Sequence, residues 1–172
     1  ARLLPRLLRA DVPDWIGATA LASGAVGPAL LVAWFDGGIA GRSGDGLLHA
    51  AIALVGIAVL CHAVLASLLF VRAPARRIGA YGVLGGALGG VATVAAGALV
   101  ALGERAHLFG IHPRLGLLGF LGLTILGVVY HFYPPAVAGD CGDPVAAASI
   151  ASLGGGLLLE LLAVLLGGRD PS

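Results

Sequence analysis

The chain contains no lysine, asparagine, glutamine or methionine, so all ten of its cationic side chains are arginine. These absences remove chemistry. There is no lysine to form a Schiff base, no methionine thioether for haem iron or copper, and no side-chain carboxamide to satisfy a buried backbone group. The four missing types share A-containing codons, which points to a GC-rich microbial genome. Cysteine is almost as scarce: Cys61 and Cys141 are too few and too far apart for a Cys-rich zinc or iron–sulfur site. Cys61 directly precedes His62, but no C-x-x-C-H occurs, which excludes covalent c-type haem attachment.

Charge is the largest deficit. Only 11% of the 172 residues are charged while 59% are hydrophobic, and the mean hydropathy is +1.01. A soluble domain carries roughly 25% charged residues to wet its surface. The composition therefore excludes a soluble domain, a disordered chain, a nucleic-acid-binding surface and a secreted disulfide scaffold together. What remains is an all-α polytopic membrane protein.

A helix needs about 20 apolar residues to cross a ~30 Å hydrocarbon layer. Five stretches meet that length, approximately 15–35, 47–71, 78–102, 113–133 and 144–167, in one five-helix membrane domain covering 1–172. The breaks hold the charges and turn formers: Asp36, Arg42 to Asp45, Arg72 to Arg77, Glu104 with Arg105, and Pro134 through Asp143. Connections of about ten residues leave no room for an extramembrane domain. Trp15, Trp34, Phe70, Tyr81, Phe132 and Tyr133 lie near span ends, where amphipathic rings favour the water boundary.

Arginine distribution sets an expected orientation. The N-terminal segment and the loop after the second span hold six arginines, Arg2, Arg6, Arg9, Arg72, Arg76 and Arg77, against four on the other side. Six against four favours a cytoplasmic N-terminus and an external C-terminus in a prokaryotic cytoplasmic membrane. Residues 1–10 place those three N-terminal arginines on one helical face and leucines on the other, as an interfacial segment does. Pro5 interrupts that segment, which is also too short for a signal-peptide core.

The third span carries Gly82, Gly86 and Gly90 in a small-xxx-small row, with Gly85 and Gly89 on an adjoining row. Such a face lets a second helix backbone approach closely. It fits packing within this bundle or a contact with other membrane subunits, and the expected partners are the lipid bilayer and such subunits through the Gly82/Gly86/Gly90 face.

Five histidines offer the main candidates for function. With each span centred in the bilayer and a rise of ~1.5 Å per residue, His49 and His112 lie ~15 and ~16 Å outward of the midplane. His62 falls ~5 Å inward and His131 ~12 Å inward, and His107 lies in an outer loop. A bis-histidine haem needs two imidazoles at matched depth with small residues beside them, which favours His49 with His112 and leaves His62 with His131 as the inner alternative. Gly56 follows His49 by seven residues, and Gly116 and Gly119 follow His112. Pro113 disfavours helical geometry at the residue before it, which makes His112 the expected cap at the mouth of the fourth span. Each boundary histidine also fits a plain solvated interface residue, whereas His62 lies deep enough to need a partner or a task.

Glu160 is the second ionisable group within a span, ~7 Å from the midplane. A carboxylate there is expected to be protonated, hydrogen-bonded to a histidine or paired with an arginine. Proton acceptance, a place beside a haem propionate, and a structural hydrogen bond all fit it. No Ser-His-Asp set, phosphate-binding glycine loop or intramembrane carboxylate pair occurs to mark a hydrolase, nucleotide enzyme or transporter.

The fourth span begins with His107 and His112, continues through a glycine-rich apolar run, and ends Gly127-Val-Val-Tyr130-His131-Phe-Tyr-Pro134. Over about 30 of the 172 residues this resembles haem-copper oxidase subunit I and its small NnrS-like relatives, in which a histidine-led, glycine-rich helix ends in Gly-x-x-Tyr-His-x-x-Pro. The resemblance implies a respiratory haem environment, with His112 the best-matched ligand and His131 the next. Those proteins have two histidines one residue apart where this chain has His107 and His112, and no adjacent His-His pair is present for a copper site. The resemblance thus implies b-type haem binding without oxygen reduction by this chain alone. The expected function is an integral membrane subunit of a respiratory or electron-transfer assembly. A cofactor-free structural subunit is the first alternative, and a proton or small-solute conductor using Glu160 and His62 is the second.

Overall fold

Hydrocarbon offers no hydrogen-bond partner, so a chain this apolar satisfies its backbone internally, as helix or closed barrel. A computed structural model of the protein describes residues 13–39, 44–72, 78–103, 105–132 and 143–167, and no strand occurs among them. The helices are α1 (Asp14–Ile39), α2 (Asp45–Arg72), α3 (Ile78–Ala101), the single turn α4 (His112–Arg114), α5 (Leu123–Phe132) and α6 (Asp143–Gly167). A 3-10 turn at Ala106–Phe109 precedes α4, and a π-helical segment, Leu115–Gly122, joins α4 to α5 as one continuous fourth span. Among the described residues five helices are long and apolar enough to cross a membrane, and their positions follow the five stretches expected. The interfacial segment expected at 1–10, and Cys141, lie outside the described residues.

Helix ends differ from the hydropathy boundaries. α1 runs on through Asp36, Gly37 and Gly38, and α2 begins at Asp45. Hydropathy marks where apolar residues stop, while intrahelical hydrogen bonds continue past that level into water. Asp14 and Asp45 occupy the first turns of α1 and α2, where a carboxylate offsets the positive end of the helix dipole.

The chain divides into two compact units, Ala1–Ala73 and Pro74–Ser172. In the first, α1 packs on α2 through glycine. A Cβ on Gly27 would stand 2.8 Å from the backbone nitrogen of Val55, and one on Gly24 would touch Ala58 at 3.6 Å. Ser23 is buried, and its hydroxyl donates to the Thr19 carbonyl at 2.5 Å, which satisfies the group within its own helix.

In the second unit α3 packs against the fourth span with almost no side chain between them. A Cβ on Gly82 would lie 2.6 Å from Gly127 Cα, one on Gly86 would lie 2.9 Å from the Thr124 nitrogen, and one on Gly89 would lie 2.6 Å from the Gly119 carbonyl carbon. Gly82, Gly86 and Gly90 are all buried inside this unit. Of the two packings the row allows, within the bundle or against another subunit, the structure adopts the first here, with the fourth span of the same chain against Gly82 and Gly86. Close approach is the only large gain available here, because lipid tails are as apolar as leucine and dispersion falls steeply with distance. α6 packs alongside, with Leu157 buried and the Tyr130 hydroxyl donating to Ser149 Oγ at 3.1 Å.

The π segment answers a sequence period that an α-helix cannot follow. Ile111, Leu115, Gly119, Leu123 and Gly127 are buried at strict intervals of four. At 3.6 residues per turn each step of four drifts about 40°, so over the sixteen residues an α-helix would carry this row roughly 160° around its axis. Widened turns keep it on one side. At the entry, His112 is the first residue of a helical turn with Ile111 before it, rather than the non-helical cap expected. Pro113 sits in that first turn, where its missing N–H costs nothing, and the packing of Ile111 outweighs the preference proline imposes on its neighbour.

Replacing Gly86 by Leu should separate α3 from the fourth span and lower stability by about 1 to 3 kcal/mol. A Cβ on Gly155 would meet no atom within 4 Å, so Gly155→Leu should leave the melting temperature nearly unchanged. Thermal melts of the two purified variants in detergent check the contrast.

Candidate functional site

The start of the fourth span is held by an apolar cluster of Ala96 from α3, Leu108 from the 3-10 turn, and Ile111 and Leu115, with Leu161 and Val164 of α6 packed against it. This cluster fixes the backbone from which His112 and Arg114 project. His112 Nδ1 lies 2.9 Å from the carbonyl oxygen of Thr93 on α3. A carbonyl only accepts, so Nδ1 carries the proton and donates, and Nε2 of the neutral ring keeps its lone pair. The ring lies over Gly97, where a Cβ would come within 2.6 Å of Cε1. Glycine at 97 is therefore what lets the imidazole lie against α3. Thr93 turns its own hydroxyl back to the Gly89 carbonyl at 2.7 Å, leaving its carbonyl to the histidine.

Two residues after His112, the guanidinium of Arg114 donates to Glu160 Oε1 of α6, forming an ion pair. Of the three states expected for Glu160, the structure adopts the arginine pairing. Arg114 is the more open partner, with 61% of its side-chain surface exposed against 33% for Glu160. Around the start of the fourth span the unit thus gathers an imidazole, a guanidinium and a carboxylate, contributed by two spans and seated on a third.

The other candidate histidines lie on other segments of the chain. His49 is exposed on α2, and its Nδ1 lies 2.6 Å from the Asp45 carbonyl one turn earlier, which fixes the same Nδ1–H tautomer. His62 is half-buried in α2, and His107 is exposed in the 3-10 turn. His131 lies in the last turn of α5, and its side chain is outside the described residues. Among the described residues no group of three or more His, Cys, Asp or Glu side chains could hold a metal ion. A haem needs only one or two such ligands.

Sequence reasoning missed Thr93, Gly97 and Arg114. Thr93 and Gly97 lie one turn apart on α3, but nothing in the sequence links either to His112, which is nineteen residues from Thr93. Arg114 counts as a topology charge in the sequence, and only the fold brings it to Glu160, forty-six residues away. No protein family, curated protein or solved structure matches the chain.

The pairing of Arg114 with Glu160 should appear as a coupling on the order of 1 kcal/mol in a cycle of Arg114→Ala, Glu160→Ala and the double variant. Melting temperatures of the four proteins measure it, and strictly additive losses would contradict the pair.

Proposed function

We propose that the chain is an integral membrane subunit of a respiratory electron-transfer assembly and that it holds b-type haem, with His112 as an iron ligand. The observation that carries this reading is the Nδ1–H of His112 on the Thr93 carbonyl. Metal-ligating histidines are generally oriented in this way, with one ring nitrogen donating to a carbonyl and the other left as the ligand atom. The surroundings support the reading: the ring is half-buried, and the Arg114 side chain two residues on, though paired with Glu160, keeps 61% of its surface exposed and open to an anionic group. Bound haem supplies a one-electron couple whose potential follows axial ligation, burial and nearby charge. This chain's own residues set those factors. Thr93 fixes the tautomer, Gly97 seats the ring, and Glu160 holds Arg114.

His49, set the same way by Asp45 within its own unit, is a separate candidate ligand, and His62 and His131 remain candidates for an inner haem. A cofactor-free structural subunit is the second reading. It is favoured by the contact of His112 with Gly97, which also fits a ring that pins two helices together. The pairing of Glu160 with Arg114 weighs against proton conduction, because the carboxylate is already engaged by a guanidinium within the fold.

A reduced-minus-oxidised spectrum of the protein, purified with its partners from haem-competent cells, should show a low-spin b-type signal. His112→Ala should abolish or convert that signal while His107→Ala leaves it intact. Sensitivity to His62→Ala and His131→Ala instead would move the haem inward, and a colourless protein would leave the structural-subunit reading.

The reading includes a prokaryotic cytoplasmic membrane with the N-terminus inside, supported by the six-to-four arginine count. A cysteine placed at Ser172 should then react with an impermeant reagent outside intact cells, and one at Arg76 should not. The reverse pattern would invert the orientation.

A further inference from the structure

Between its two anchored regions the fourth span contains one residue more than an α-helix can use. Leu115 and Leu123 are both buried, and they stand eight residues apart. Eight α-helical residues turn about 800°, which would leave Leu123 roughly 80° away from the face that Leu115 occupies. Seven residues would return it to within about 20°.

Neither end is free to rotate and absorb that difference. At the start of the span Ile111 and Leu115 are 2% and 4% exposed, His112 is bonded to Thr93, and Arg114 is paired with Glu160. At the other end a Cβ on Gly127 would lie 2.5 Å from the Val83 nitrogen and 2.6 Å from the Gly79 carbonyl oxygen, so the backbone there has no clearance. The mismatch has to be taken up between the two ends, and the π segment lies there. Gly116, Gly119 and Gly122 fall within its eight residues, and glycine has the weakest α-helical preference after proline.

We propose that Leu115–Gly122 is a phase adapter: it stores one residue in widened turns and thereby sets the azimuth at which His112 meets Thr93 and Arg114 meets Glu160. The adapter acts on positioning alone and does not depend on haem. Its outer row carries no buried contact, since Leu117, Leu118 and Leu121 are 64%, 45% and 47% exposed. A residue can therefore be removed from that row without emptying the core.

The test compares three variants of the full chain, read by the imidazole nitrogen signals of His112 in histidine-labelled protein, assigned by their loss in His112→Ala. Deletion of Leu118 leaves seven residues between the anchors. That variant should fold, with the segment now plain α-helix and the Nδ1–H signature of His112 unchanged. Insertion of one alanine after Leu118 adds about 100° of turn and should abolish the signature. Insertion of alanine after Leu118 combined with deletion of Leu121 restores the count of eight, sets the new alanine in the place of Gly119, where a Cβ stands at an ordinary 3.4 Å from Gly89 Cα, and should restore the signature. The proposal is overturned if the Leu118 deletion fails to fold or loses the signature, if the single insertion keeps it, or if the compensated variant lacks it.

Discussion

The contact of α3 with the fourth span, backbone on backbone, is the constraint on which the second unit depends. In water, two such surfaces would be driven together by burial of apolar area. In lipid that drive is absent, and what holds helices is dispersion between atoms close enough to gain from it. Glycine at 82, 86 and 89 on one side, with Gly127 and Gly119 on the other, removes the side chains that would keep the backbones apart. The same closeness makes the contact unforgiving, because a single methyl group at most of these positions would meet main-chain atoms.

The polar group at the start of the fourth span follows from that contact. Once α5 is locked onto α3, the entry of the span lies beside the last turns of α3. There Gly97 leaves space for an imidazole and Thr93 offers a carbonyl. Arg114 then reaches Glu160, and two charged side chains that are costly within spans neutralise each other. The π segment reconciles the glycine contacts at one end with the apolar and polar contacts at the other. Position, tautomer and charge around His112 are thus consequences of helix packing.

The spans were legible in the sequence because crossing a bilayer demands some twenty apolar residues, a signal that composition carries directly. The third-span glycines were legible as a close-contact face. Their partner was not, since the same physics brings together helices of one chain or of two. Glu160 was legible as a group needing a partner, with arginine among the options. The identity of that arginine required the fold. The four-residue spacing of Ile111, Leu115, Gly119, Leu123 and Gly127 is present in the sequence. It is hidden there by the many other leucines and glycines around it, and it becomes a pattern only when burial separates those five from their neighbours. His112 was marked out for its type and depth, while the Thr93 carbonyl that orients it is a backbone atom with no sequence signal at all.

The most direct test of this account is a carbon–carbon correlation spectrum of the protein in bilayers, labelled only at glycine Cα, because it perturbs nothing in the contact it reads. The account predicts direct cross-peaks joining Gly82 to Gly127 and Gly89 to Gly119. A folded, fully helical protein that shows neither cross-peak would contradict it.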